Sequence, residues 1–194
     1  AQTIDGRIAT RNGESRWISG DGTLTYAHQL RATHDAILVG IGTVLQDDPS
    51  LTVRLVEARS PLRVIVDSSL RIPLEAKVLR NGAAQGTVVA VTENARADRI
   101  AEVRRLGGQV LVVRADSTGR VDLDDLLHRL SILGIRSLLV EGGARIITSF
   151  LYQQLVDRLV VCIAPKMLGR GTDAGGDLGI ARRADVVGLD DAEV

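Results

Sequence analysis

The chain has 194 residues, 45% of them hydrophobic and 2% aromatic, which suffices for one sizeable α/β core and is short for two independent domains. Lysine plus arginine (24) equals aspartate plus glutamate (24), which excludes the one-sided positive field that nucleic acid or an anionic membrane selects. A single cysteine rules out an intrachain disulfide; with no signal peptide and no apolar run near the ~18 residues of a membrane span, a soluble, cytoplasmic protein is expected.

Residues 1–18 open at a strand end and pass through the polar loop RNGESRWIS. Trp17, the only tryptophan, follows that loop and suits either the lining of a ligand cavity or the core. The spacing predicts a helix over 20–33, introduced by Ser19 and Asp21. Ala36 to Val39 is a short, unalternating apolar run of the kind that forms a central strand covered on both faces. It empties into Gly40, Gly42, Thr43, Asp47, Asp48 and Arg54, a sequence that builds a site rather than a core, with glycines that let backbone approach a ligand.

Further Val- and Ile-rich runs at 63–66, 87–91, 109–113, 137–140 and 158–164 alternate with helical periods at 96–106 and 122–134. That alternation predicts a three-layer α/β/α fold with a mainly parallel sheet. In the last of those helices Leu123, Leu126, Leu127, Leu130 and Leu133 form one apolar stripe, with Asp122 as N-cap and Gly134 as stop. Segments 55–61, 80–86 and 114–120 read as surface loops, and Cys162 in VVCIAP as core filler. The glycine-rich stretch 168–179 is either a mobile loop near the site or a connection between late strands.

Three junctions carry possible chemistry. In LLVEGG a strand ends at Glu141, and Gly142-Gly143 open a helix whose Ile146, Ile147, Phe150 and Leu151 face the sheet. Free amides at that start form an anion site, unless the glycines serve only a tight turn. Glu141 can accept ligand hydroxyl or amino protons, or pair with a nearby arginine. RVIVD runs into Ser68, Ser69 and Arg71, where hydroxyls and a cation suit a 2′-phosphate and so NADPH over NADH, although Arg71 can equally be an exposed charge. Arg31 and Arg54 offer planar forks for a phosphate monoester, or are simply solvated. His28, His34, His128 and Cys162 lack metal-ligand spacing, and no zinc-deaminase signature, serine elbow or Walker loop is present, so no metal is expected.

Taken in order, DGRIAT at 5–10, GESRWIS at 13–19, VGIGTVLQDDPSLTVR at 39–54, PLRVIVDSSLRIP at 61–73, LLVEGG at 138–143 and IAPKMLG at 163–169 form a specific series. Through it the whole chain resembles the reductase domain of the bacterial riboflavin-biosynthesis deaminase-reductase and the similar stand-alone pyrimidine reductases, which have a dihydrofolate-reductase-like fold. The resemblance implies NADPH-dependent reduction of 5-amino-6-(5-phosphoribosylamino)uracil, with hydride delivered to C1′. It assigns substrate contacts to Ser15, Arg31, Leu51, Arg54 and Glu141, the arginines gripping the 5′-phosphate. It assigns NADPH contacts to Ala1, Trp17, Thr43, Asp47, Ser68 and the run Gly143, Ala144, Arg145, Ile146, Ile147, Thr148, Ser149. Asp47 and Glu141 are the catalytic candidates.

The family's lysine just before the position of Ala1 and its final strand after 185–194 are missing, so a single reductase domain over 1–194, trimmed at both ends, is expected. A homodimer and a zinc deaminase domain elsewhere in the full-length chain are the partners the resemblance implies. A diamino-pyrimidinone substrate, a dihydrofolate reductase and a non-catalytic nucleotide-binding domain are the alternatives.

Overall fold

The computed structural model describes residues 1–15, 18–182 and 186–191. In chain order the elements are β1 (Gln2–Thr3), β2 (Arg7–Thr10), α1 (Asp21–Thr33), β3 (Ala36–Gly40), α2 (Ile41–Asp47), β4 (Leu62–Val66), β5 (Thr87–Val91), α3 (Ala97–Arg105), β6 (Gln109–Val112), α4 (Leu123–Ile132), β7 (Leu138–Val140), α5 (Ala144–Tyr152), β8 (Ile163–Ala164) and β9 (Gly171–Asp173). The chain divides into two units, Ser19–Gly143 and Ala1–Ile18 with Ala144–Val194.

In the first unit the apolar runs form a five-stranded, all-parallel sheet of order β6-β5-β4-β3-β7, flanked by helices as the alternation predicts. Parallel strands need a crossover: α2, α3 and α4 supply it after β3, β5 and β6, whereas β4 reaches β5 through the segment 67–86, which holds only a short 3-10 helix at Ala83–Gly86. Because the sheet is covered, its central strands need no polar face: Ala36, Ile37, Leu38, Val64, Ile65, Val88 and Val89 are fully buried. Each such valine, leucine or isoleucine contributes about 1.5–3 kcal/mol by leaving water. At the amino ends of β3 and β7 the Asp35 carboxylate accepts the Arg136 and Ser137 amides at 2.9 Å each, which fixes their register. Those two amides, then the Ser137 hydroxyl, hold the Asp35 carboxyl below its usual range.

Helix α4 matches its sequence signals except at Leu133, which falls at the C-cap beyond the last helical turn and is exposed instead of joining the buried stripe. The Asp122 side chain accepts the Asp125 amide at 3.0 Å, and Leu123, Leu126 and Leu130 are buried. Helix α1 starts differently from expectation: Gly20 occupies the N-cap with no side-chain cap, and Asp21 sits in the first turn, where its charge complements the helix dipole. Helix α2 is an addition, since no helix is predicted over 41–47. Ile41 and Val44, one turn apart, are its buried face, a period too short to stand out in the sequence.

In the second unit the run 158–164 departs from expectation. Only Ile163–Ala164 is a strand, pairing with β1 in parallel (Gln2↔Ile163, Thr3↔Ala164) and taking no place in the five-stranded sheet. Among the described residues nothing covers Leu159, Val160, Val161 or Ile163, all of which are exposed, and Pro165 stops the run. Cys162 is only half-buried. The stretch 168–179 carries β9, which runs antiparallel to β2 and adds an Arg7–Asp173 ion pair. A Cβ on Gly171 would strike the Ala9 carbonyl, so only glycine allows that approach. The Asp5 carboxylate accepts the Thr3 hydroxyl at 2.6 Å and the Gly169 and Leu168 amides at 2.6 and 3.1 Å. The Thr3 hydroxyl most of all, then those amides, pull its pKa down to about 2.

Candidate active site

The order of the sheet reverses at β3. Strands β4, β5 and β6 follow it outward on one side, while β7 returns to lie against its other side, so the β3/β7 pair is the switch point whose carboxyl ends open a crevice in α/β sheets. The pairing runs Ala36↔Leu138, Ile37↔Leu139 and Leu38↔Val140, and continues as the Glu141 amide donates to the Leu38 carbonyl at 2.9 Å. The two junctions singled out in the sequence are therefore neighbours. A Cβ on Gly142 would lie 3.5 Å from Thr43 Cγ2 and Oγ1, so α2 and the β7 exit touch there. Gly142 and Gly143 have φ of +69° and +85°, two successive left-handed residues that any side chain would strain. At Gly42, an exposed residue of α2, an added Cβ meets nothing within 4 Å.

Across this mouth Arg31, from the last turn of α1, lies bidentate on Glu141: Nε donates to Oε1 at 2.7 Å and Nη2 to Oε2 at 2.6 Å. Both side chains are largely sheltered, at 14% and 24% exposure, where a fork-to-fork pair is stronger than on open surface. Arg31 Nη1 also donates to the Thr52 carbonyl at 3.1 Å. Arg54 is exposed, and its Nη1 donates to Thr52 Oγ1 at 3.1 Å. Its backbone amide donates to His28 Nδ1 at 2.9 Å. His28 is buried, and that burial, followed by the charges of Arg31 and Arg54, depresses its pKa, with Glu141 opposing. The sequence weighs His28 only as a metal ligand; the signal for its role here was its position three residues before Arg31, one turn away on the same helix face.

The remaining candidates divide by unit. In the first, Thr43 is half-buried beside Gly142, Asp47 is exposed at the end of α2, and Leu51 is buried with φ +52°. Ser68 Oγ accepts the Val121 amide at 3.1 Å, which leaves its hydroxyl proton free to donate. Before it, Asp67 is fully buried: Oδ2 accepts the Ile72 amide at 2.8 Å, whereas Oδ1 has no hydrogen-bond partner among the described residues and faces Arg71 Nε at 3.8 Å. Burial, the dominant cause, raises the Asp67 pKa against these favourable partners. Arg71 itself is exposed. In the second unit Ala1 and Arg145 are exposed, Ser15, Ala144 and Ile147 half-buried, and Ile146 buried. The Thr148 and Ser149 hydroxyls donate back to the Ala144 and Arg145 carbonyls at 2.6 and 3.0 Å, and Thr148 Oγ1 also accepts the Gly176 amide at 2.6 Å. Trp17 lies outside the described residues.

Among the described residues no group of three His, Cys, Asp or Glu side chains could hold a metal ion, and no helix is long and apolar enough to cross a membrane.

Comparison with known proteins places this geometry. Residues 1–193 match the model of the RibD C-terminal domain. The chain is 44% identical over 181 residues to the riboflavin biosynthesis protein RibD of Aquifex aeolicus, covering 93% of this chain but 48% of that protein. It is 45% identical over 197 residues to the 2,5-diamino-6-ribosylamino-4(3H)-pyrimidinone 5′-phosphate reductase of Methanothermobacter thermautotrophicus, covering 98% of this chain and 87% of that one. Among solved structures, Acinetobacter baumannii RibD superposes with a TM-score of 0.80 at 30% identity, over 95% of this chain and 49% of its own. The fold is thus the dihydrofolate-reductase-like one of the RibD reductases. About half of each RibD protein lies beyond the matched region.

Proposed function

We infer the function from one premise: the chain belongs to the RibD C-terminal domain family. It is a reductase of riboflavin biosynthesis that converts the ribosyl group of 5-amino-6-(5-phosphoribosylamino)uracil to a ribityl chain, with NADPH as reductant. The observation that carries this reading is the switch point itself, where Gly42, Thr43 and Gly142-Gly143 adjoin the Arg31–Glu141 pair and the open fork of Arg54.

The residues present fit a dinucleotide. Two consecutive left-handed glycines present backbone with no side chain in the way, and Gly42 faces open space. Thr43, Asp47, Ser68 and Gly143 would hold the cofactor, and when bound it supplies the hydride for C1′ of the ring-opened substrate. The chain's own work is largely placement. Arg54 offers its exposed guanidinium to the 5′-phosphate, in the planar geometry such a group favours. Arg31, already committed to Glu141, fixes the carboxylate that accepts substrate hydroxyl or amino protons, and so orients the sugar. Reduction at C1′ also requires one proton at the nitrogen bonded to it, for which the exposed Asp47 carboxyl is the candidate donor. Holding two reactants in register can lower a barrier by roughly 7–11 kcal/mol.

A second reading keeps the site and changes the base: similarity to the Methanothermobacter enzyme equals that to Aquifex RibD, so the diamino-pyrimidinone is the alternative substrate. Following NADPH oxidation with each pyrimidine and with dihydrofolate separates the readings. Turnover of the phosphoribosylaminouracil is expected; turnover of dihydrofolate alone would refute the assignment.

A further inference from the structure

The segment that carries Arg54 is held in a costly shape. Leu51 is buried with φ +52°, a left-handed conformation that a leucine keeps only where its surroundings over-determine it. Two side chains of α1 do so. Arg31 Nη1 donates to the Thr52 carbonyl at 3.1 Å, and His28 Nδ1 accepts the Arg54 amide at 2.9 Å. His28 is 5% exposed and lies one helical turn from Arg31, so both reach the same loop from one face. An imidazole that accepts at Nδ1 is neutral, with its proton on Nε2. The charged groups around it are Arg31 on its own helix, Arg54 on the segment it holds, and Glu141 beyond β7.

We propose that His28 is a positioning residue: by accepting the Arg54 main-chain N–H it fixes the path of residues 51–54 and so aims the Arg54 guanidinium at the substrate phosphate. This rests on the reading that Arg54 receives that phosphate. Protonating His28 converts the acceptor into a donor that faces another donor, and the segment is released. Asparagine, whose Oδ1 is an acceptor that does not titrate, keeps the bond.

Steady-state kinetics of the wild-type chain, His28→Ala, His28→Asn and Arg54→Ala, with phosphoribosylaminouracil and NADPH varied in turn, test the proposal. His28→Ala is expected to raise the substrate KM about tenfold while moving the NADPH KM less than about twofold, and His28→Asn to recover most of the loss. Acidification below the ordinary imidazole value of 6.5 should raise the wild-type substrate KM more than that of His28→Asn, because only the wild type loses its acceptor. Equal shifts in both KM values, no rescue by asparagine, or matching pH profiles for wild type and His28→Asn would each overturn the role. Should His28→Ala melt too readily to assay, the comparison of wild type with His28→Asn decides the matter alone. If Arg54→Ala raises the substrate KM and His28→Ala does not, the positioning role falls and the phosphate site stands. If Arg54→Ala leaves it unchanged, the phosphate reading is what fails.

Discussion

Strand β3 and the run 158–164 are both short apolar stretches ending near glycine or proline, yet they meet opposite fates. Ala36 to Val39 is buried throughout as an interior strand of a five-stranded sheet, whereas Leu159 to Ile163 is exposed apart from a half-buried Cys162, with a two-residue strand at its end. An apolar run states that a segment gains from leaving water; it does not state what will cover it. For β3 one neighbour is local, since β4 follows it in sequence, and only β7, about 100 residues later, comes from afar. For β8 the partner is β1, some 160 residues earlier, and no local pattern announces that pairing.

The widest separation between these regions should appear in stability. Leu38→Ala is expected to cost about 2–5 kcal/mol in urea unfolding, the range for a fully buried leucine, while Val161→Ala costs under about 0.5 kcal/mol. Comparable losses at both positions would break the comparison and mean that 158–164 is covered in solution. Gly143→Val probes the rim of the buried region: a β-branched residue at φ +85° strains the backbone by about 1–3 kcal/mol and occupies the dinucleotide's space. A fluorescence titration should show NADPH affinity lost, whereas unaltered binding would remove Gly143 from the cofactor site.

The two arginines sharpen the same region further. Arg31→Ala leaves a sheltered Glu141 without its fork, so a loss of about 1–3 kcal/mol in thermal unfolding should accompany a raised substrate KM. Arg54→Ala, an exposed side chain, should raise the substrate KM with stability unchanged within about 0.5 kcal/mol.

The smallest expected effect is a difference in pH response between the two units. Asp67 has a raised pKa in the folded chain, so its contribution is present below the ordinary value of 3.8 and is lost as pH rises through the raised value; Asp67→Asn should flatten that decline. Asp5, lowered from 3.8 to about 2, behaves in reverse: its contribution is present above 3.8 and is lost as pH falls towards 2. Acid titration of Asp5→Asn, followed by circular dichroism, should therefore show a shallower loss between those values than the wild type.

Much of the first unit was legible in the sequence. Five strands and helix α4 with its Asp122 cap follow from hydrophobic period and punctuation, whereas the meeting of the 36–47 and 138–143 junctions depends on the long-range β3–β7 pairing. The union of Arg31 with Glu141 was foreseen only as an alternative to ligand binding, because a sequence shows two charges and not the 110 residues of folding that bring them together. The contact His28 makes is hidden for a related reason: its partner is a backbone amide, which every residue but proline has and no motif marks. Helix α2 was hidden by its glycines and its seven-residue length. Strands β1, β2 and β9 depend on pairings between the chain's two ends.

The central claim is that the carboxyl ends of β3 and β7 together form the reducing site. A crystal structure of the protein with NADP and the phosphoribosylaminouracil bound tests it most directly. The account predicts the nicotinamide beside Thr43 and Gly142-Gly143 and the sugar phosphate on Arg54, with Glu141 bonded to the substrate; ligands seated away from the β3/β7 mouth would contradict it.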